Sequence, residues 1–338
     1  MTTLLEPLQP VAVLGSGGWG TALAVHLGRL GKPVWLWGRN QSLVTKMVTN
    51  QENRLYLPGV ELPELVRPTH VLEKALDGAR CVVCAVPSHG TRDVLRSVAS
   101  RIDEDTVIVS AAKGLEVGTL LRMTQVIEEE VGSSHEVAVL SGPSFSKELV
   151  AELPTAVCVA GRSELTVQAV QQEFRSHSFR LYGTDDVVGV EIGGAMKNVI
   201  AIAAGVVESL ELGQNALSAL ITRGLAEISR LAEAAGGRRE TLSGLSGLGD
   251  LVLTCTGALS RNRSLGLELG RGHQLNEVLD GMKTVAEGVR TTGAAIELGK
   301  RYGVELPITA QMADVLAGLR PPRAAVEELM LRRQRSEC

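Results

Sequence analysis

The stretch VAVLGSGGWGTALA, residues 11–24, constrains the fold of this chain more than any other. It reads as a short apolar strand, a G-x-G-x-x-G turn at Gly15, Gly17 and Gly20, and the opening of an apolar helix. That context marks a dinucleotide-binding fingerprint. In such a turn Gly15 permits the tight bend, Gly17 lets the backbone approach a pyrophosphate, and Gly20 lets helix and strand pack closely. The helix behind it aims unpaired N–H groups and the positive end of its dipole at the phosphates. An ordinary strand–helix turn would have to carry three glycines at the required spacing by chance.

Strands and helices alternate beyond this turn. Apolar strands are expected at 34–37, 80–86, 106–110, 137–140, 155–160 and 179–182, with helices such as 89–99 and 120–131 between them. That alternation predicts an α/β fold with a mostly parallel, doubly wound sheet. Ligands of such sheets sit outside the carboxyl ends of the strands. After the second strand comes Trp37-Gly38-Arg39-Asn40, where an NAD enzyme usually places an acid for the ribose hydroxyls. No acidic residue occurs from Pro7 to Gln51. Arg39 stands there instead, either as a partner for the 2′-phosphate of NADP or as a solvated surface residue. This favours NADP and leaves NAD open.

Other strand ends offer weaker signals. Pro87 ends a strand, with Ser88 or His89 expected to cap the next helix. Lys113 follows a strand among small residues, so it reads equally as a crevice residue or an exposed lysine. Ser144, with Lys147 and Glu148 behind it, resembles a helix start with N–H groups free for an anion.

From about Asp185 the strand pattern gives way to helical periodicity. Lys197 lies in a long apolar segment, and its helical neighbours Gly193, Gly194, Ile200 and Ala201 include no acid. Apolar surroundings disfavour its ammonium form and suit it to proton transfer; the competing reading is a lysine snorkelling to water. Arg223 and Glu227 read as a surface pair four apart. Asp250, between a glycine-rich turn and an apolar helix, reads as an N-cap. Ser260-Arg261-Asn262-Arg263 is expected to open a helix at 264–269, as a phosphate cradle or a charged helix start.

Composition narrows the function classes. A length of 338 residues suggests about two domains. A net charge of −4 and 3% aromatic residues argue against nucleic acid as a partner. No apolar run reaches the roughly 18 residues of a membrane span, the longest being 199–207, so no stable membrane insertion is expected. The first ten residues do not read as a secretory signal. The five cysteines suggest no disulfide framework, and Cys81 and Cys84 would point to opposite faces of one strand. No histidine or cysteine spacing suggests a metal. A cytoplasmic compartment is expected.

The later motifs carry a family resemblance. Gly15–Gly20, AKGLE (112–116), SGPSFSKE (141–148), GGAMKNV (193–199), GLGD (247–250) and SRN (260–262), in this order, closely resemble the bacterial NAD(P)-dependent glycerol-3-phosphate dehydrogenases. The resemblance runs from about residue 10 to 320. It implies an N-terminal Rossmann domain, 1–187, and an all-helical domain of the 6-phosphogluconate dehydrogenase type, 188–338. It implies reversible reduction of dihydroxyacetone phosphate to sn-glycerol 3-phosphate, feeding phospholipid synthesis, and is compatible with a homodimer.

Carried over by position, the resemblance makes Lys197 the proton donor or acceptor, and the chemistry of ketone reduction gives Lys113 the developing oxyanion to stabilise and Asp250 the task of orienting Lys197. Lys113, Gly142, Ser144, Lys197, Asp250, Ser260, Arg261 and Asn262 become substrate contacts. Gly18, Trp19, Arg39, Lys113, Ser146, Arg261, Val285 and Glu287 become cofactor contacts. Ser144 stands where the motif often has Thr, Ser146 where it often has Ala, and Asn40 where an acid often follows. The rival readings are a hydroxyacid or ketopantoate-type dehydrogenase and a non-catalytic NADP-binding sensor.

Overall fold

The computed structural model describes residues 9–282 and 286–333. The chain divides into two compact units, one of residues 1–112 and 123–187, the other of 113–122 and 188–338. The segment 113–122, which the sequence places in the first domain, groups with the helices of the second.

The first unit is an eight-stranded sheet of β1 (Val11–Leu14), β2 (Val34–Trp37), β3 (Val66–Thr69), β4 (Cys81–Cys84), β5 (Val107–Ser110), β6 (Val137–Ser141), β7 (Thr155–Gly161) and β8 (Phe179–Thr184). Its order is β3-β2-β1-β4-β5-β6-β7-β8. All neighbouring pairs are parallel except β6–β7. Helices on both faces bury β1 completely, which is why it lacks polar alternation. Val11 and Val13 belong to one core, Ala12 and Leu14 to the other. Cys81 and Cys84 divide between the same two cores, and burial pushes each thiol up to about 12. Both are therefore inert packing residues.

β3 has no counterpart among the expected strands because Arg67 and Pro68 break its apolar run. It lies at the sheet edge, where a proline without an N–H is tolerated.

The second unit is built around helix Val187–Ser209, buried from Gly189 to Val207. It is long enough to span a membrane and its most apolar stretch has a mean hydropathy of 1.5, but 89% of that stretch is buried inside the protein. It is the core helix of this unit. Helix Arg261–Gly270 crosses it at a pair of glycines: a Cβ at Gly205 would lie 2.1 Å from the Arg263 carbonyl oxygen, and one at Gly266 would lie 1.9 Å from that of Ile202. The crossing therefore needs bare backbone on both sides, and it fixes residues 260–262 relative to the helix of Lys197.

Candidate functional site

In the sheet unit, β1 runs into the glycine turn and helix Gly18–Arg29. Gly15 has φ 119°, and a Cβ there would meet the Ala85 carbonyl oxygen at 2.6 Å. A Cβ at Gly20 would lie 1.9 Å from the Gly15 oxygen, whereas one at Gly17 meets nothing within 4 Å. Two glycines thus build the turn, and the third leaves backbone open to an incoming group. No acid occupies the first helical turn, so its dipole is uncompensated. Trp19, on that turn, has a buried Nε1–H with no partner among the described residues. These features fit the pyrophosphate of a nicotinamide dinucleotide.

Sequence reasoning missed the residue that holds the turn. Asn53, fully buried, donates through Nδ2 to the Ser16 carbonyl and to Thr21 Oγ1, both at 2.8 Å. Its only signal is a polar residue just before an apolar turn, which does not identify a distant partner.

At the end of β2, Gly38 leaves room for Ser16, whose Oγ would sit 2.3 Å from a Cβ there. Arg39 is exposed. Asn40 caps helix Gln41–Asn50, its Oδ1 accepting from the Leu43 N–H at 3.0 Å. The residue standing where an acid often follows is committed to a helix start.

Two expected caps are corrected. Pro87 occupies the N-cap position before helix Ser88–Arg96, so neither Ser88 nor His89 caps it. Phe145 precedes helix Ser146–Val150, and Ser144 instead donates to the Gly142 carbonyl at 2.9 Å. Gly142, with φ 147°, packs on Val157, whose Cα would lie 2.9 Å from a Cβ. The turn places Ser144 and Ser146 just beyond the carboxyl end of β6.

In the helical unit, Asp250 is not an N-cap. The π-helical turn Leu245–Gly249 runs directly into helix Asp250–Thr256, with Gly249 already helical. Such turns recur at functional sites because they re-aim the following side chains. The Asp250 side chain is only 1% exposed, and its Oδ2 accepts from Lys113 Nζ at 2.7 Å. Its Oδ1 accepts from Lys197 Nζ. Lys197 also donates to Thr254 Oγ1 at 2.9 Å, which in turn donates to the Asp250 carbonyl at 2.6 Å. Thr254 was not singled out in the sequence; its signal is its place one helical turn after Asp250.

Burial lowers the Lys197 pKa to about 8, with the Lys113 ammonium assisting and Asp250 opposing. Two lysine ammonium groups thus meet on one buried carboxylate. That arrangement can deliver a proton and stabilise an oxyanion.

Ser260 caps helix Arg261–Gly270, accepting from the Arg263 N–H at 3.2 Å, so the helix starts three residues earlier than expected. Arg261 is exposed, while Arg263 pairs with Glu208. Asn262 is buried and committed at both ends: Nδ2 donates to Asn198 Oδ1 at 2.9 Å, and Oδ1 accepts from the Gly288 N–H at 3.0 Å. Glu287 begins helix Glu287–Tyr302. Val285 lies outside the described residues.

Glu227 is no surface residue. It is 1% exposed and caps helix Pro307–Leu316, accepting from Ile308 N at 2.6 Å and Thr309 N at 3.3 Å. Burial pushes its carboxyl up to about 7. Among the described residues no group of three or more metal-ligating side chains occurs.

Residues 10–166 match the family described as NAD-dependent glycerol-3-phosphate dehydrogenase N-terminus, and residues 186–327 its C-terminus. The chain is 50% identical over 275 residues to a glycerol-3-phosphate dehydrogenase [NAD(P)+] of Koribacter versatilis, covering 80% of this chain and 82% of that one. It is 51% identical over 270 residues to the protein of that name from Thioalkalivibrio sulfidiphilus, covering 80% and 81%. The crystal structure of glycerol-3-phosphate dehydrogenase from Coxiella burnetii superimposes with a TM-score of 0.93 at 40% identity, covering 96% of this chain and 99% of that one.

Proposed function

Because the chain belongs to the NAD-dependent glycerol-3-phosphate dehydrogenase family, we propose that it interconverts dihydroxyacetone phosphate and sn-glycerol 3-phosphate. The cofactor is NADP or NAD, and the setting is cytoplasmic glycerophospholipid synthesis. The observation that carries this reading is the buried Asp250 carboxylate shared by Lys113 and Lys197. The bound dinucleotide supplies or accepts the hydride at C2 of the substrate. Lys197 gives the C2 oxygen its proton in reduction and takes it back in oxidation. Its pKa of about 8 keeps both forms populated near neutrality, the condition for efficient general acid–base work. Lys113 stabilises negative charge developing on that oxygen. Asp250 holds both ammonium groups and, by opposing the fall in the Lys197 pKa, keeps that lysine charged often enough to act as an acid.

The capped helix start at Ser260, with exposed Arg261, suits the substrate phosphate. Binding there would orient a small molecule without touching its reacting carbon. Gly142, Ser144 and Asn262 are the further substrate residues of this reading. Gly15, Gly17, Gly18, Trp19, Gly20, Arg39, Ser146, Val285 and Glu287 are its cofactor residues. The exposed guanidinium of Arg39 and the commitment of Asn40 to a helix cap favour NADP. The test is absorbance at the nicotinamide band with dihydroxyacetone phosphate and each cofactor. Turnover with NADPH is expected; turnover of ketoacids but not of the phosphate would replace the reading with a hydroxyacid dehydrogenase. Tight cofactor binding without any turnover would replace it with a sensor.

A further inference from the structure

The segment 113–122 is tied to one helix at both ends. At its start the Lys113 carbonyl accepts from Asn198 Nδ2 at 3.4 Å, and at its end the Arg122 guanidinium pairs with Glu191. Asn198 and Glu191 both belong to helix Val187–Ser209, about two turns apart, and Lys197 lies between them. Within the segment, Leu115 is buried in the helical core. The Glu116 N–H donates to the Leu121 carbonyl at 2.9 Å, closing the segment into a strap.

The Arg122 and Glu191 side chains are 15% and 3% exposed. A buried ion pair adds little net stability, since desolvation offsets its attraction and apolar replacements are often neutral. What it does supply is fixed geometry, because a guanidinium and a carboxylate meet in few orientations. We propose that Arg122 and Glu191 are positioning residues whose ion pair locks the far end of the strap to the Lys197 helix and thereby sets the spacing of the Lys113 and Lys197 ammonium groups on Asp250. The proposal rests on the reading above, in which both lysines serve the reduction.

Lys197 faces Asp250, Thr254, Lys113 and the Cys255 thiol, which burial pushes up to about 12 and keeps neutral. Of these, Lys113 is the group that depresses Lys197 by like charge. A loosened strap lets that charge recede, so Lys197 titrates at higher pH.

The test uses the full chain with both charges removed, Arg122→Met with Glu191→Leu, so that the ion pair is removed as a unit. Four readouts are compared with wild type: kcat and KM for dihydroxyacetone phosphate across the pH range, NADPH affinity, and hydrogen exchange of residues 113–122. The expected result is a kcat lower by about ten- to a hundredfold, the range for small misplacement of catalytic groups. The alkaline limb moves upward, NADPH affinity stays within about twofold, and strap amides exchange about tenfold faster while helix Val187–Ser209 stays protected. Arg122→Lys keeps the charge but loses the planar fork, so it is expected to lower kcat and loosen the strap nearly as far as the double variant does. If the double variant does not fold, the near-isosteric Glu191→Gln carries the same readouts. An unmoved limb with wild-type kcat, or unchanged exchange in the strap, overturns the proposal. If wild-type enzyme itself fails to turn over dihydroxyacetone phosphate, the functional reading falls, and strap exchange alone decides the clamp.

Discussion

Lys197 shows what a single side chain owes to residues far from it in sequence. Its pKa of about 8 lies below the ordinary 10.5 because burial penalises the ammonium form. Reduction needs the protonated lysine, so its kcat is expected to fall as pH rises through about 8, while that of the oxidation rises over the same interval. Opposite limbs in the two directions would be read from steady-state kinetics. Lys197→Met removes the acid, and kcat should drop by about 10²- to 10⁴-fold, the usual share of a general acid. NADPH affinity, read by fluorescence titration, should stay within about twofold; retained turnover would exclude Lys197. Arg39→Ala tests the cofactor end. Loss of a charge-assisted contact to the 2′-phosphate should raise the NADPH KM about tenfold or more, with NADH changing little. At this scale the sequence shows lysines but not their partners. Asp250 lies 53 positions from Lys197 and further still from Lys113, so only the fold reveals the shared carboxylate.

Elements decide where these side chains go. The crossing of helices Val187–Ser209 and Arg261–Gly270 depends on Gly205 and Gly266. Gly266→Ala would drive a methyl group into the Ile202 carbonyl and push the Ser260 end away from Lys197. The KM for dihydroxyacetone phosphate is expected to rise about tenfold or more, since about 1.4 kcal/mol of lost positioning suffices, with NADPH affinity unchanged in the same titration.

Glu227 performs a comparable task at the start of helix Pro307–Leu316. Its folded pKa of about 7 lies above the ordinary 4.5, so the folded state holds its proton more tightly than the unfolded one. Its contribution is complete below about 4.5 and is lost as pH rises through about 7. The loss amounts to about 3 kcal/mol by linkage. The melting temperature should therefore fall across this window in wild type, and Glu227→Gln should flatten the fall. Element periodicity was legible wherever the pattern was local, as in β1 and its glycine turn. It was misleading where a spacing of four suggested a surface pair for Glu227. The same spacing fits a buried residue, because periodicity reports which face a side chain occupies and not what covers that face.

At the scale of the whole molecule, the sheet unit and the helical unit each have their own buried core. A ligand that binds only folded protein at a hundred times its Kd adds about 2.7 kcal/mol. NADPH without substrate should accordingly raise the melting midpoint in calorimetry; an unmoved midpoint at saturation would contradict dinucleotide binding. The two-part architecture was legible because short apolar strands alternating with helices give way to helical periodicity alone near residue 185. The membership of 113–122 was not, since a ten-residue excursion with an ordinary loop composition has no periodicity to betray its destination. That excursion means the chain passes between units at three points, 112/113, 122/123 and 187/188. A single genetic crossover near residue 187 would hand a new partner the helix of Lys197 and the carboxylate of Asp250 but leave Lys113 behind. Chemistry divided in this way is inherited whole or not at all, so halves of related enzymes should exchange as working cassettes only when the strap travels with the helices.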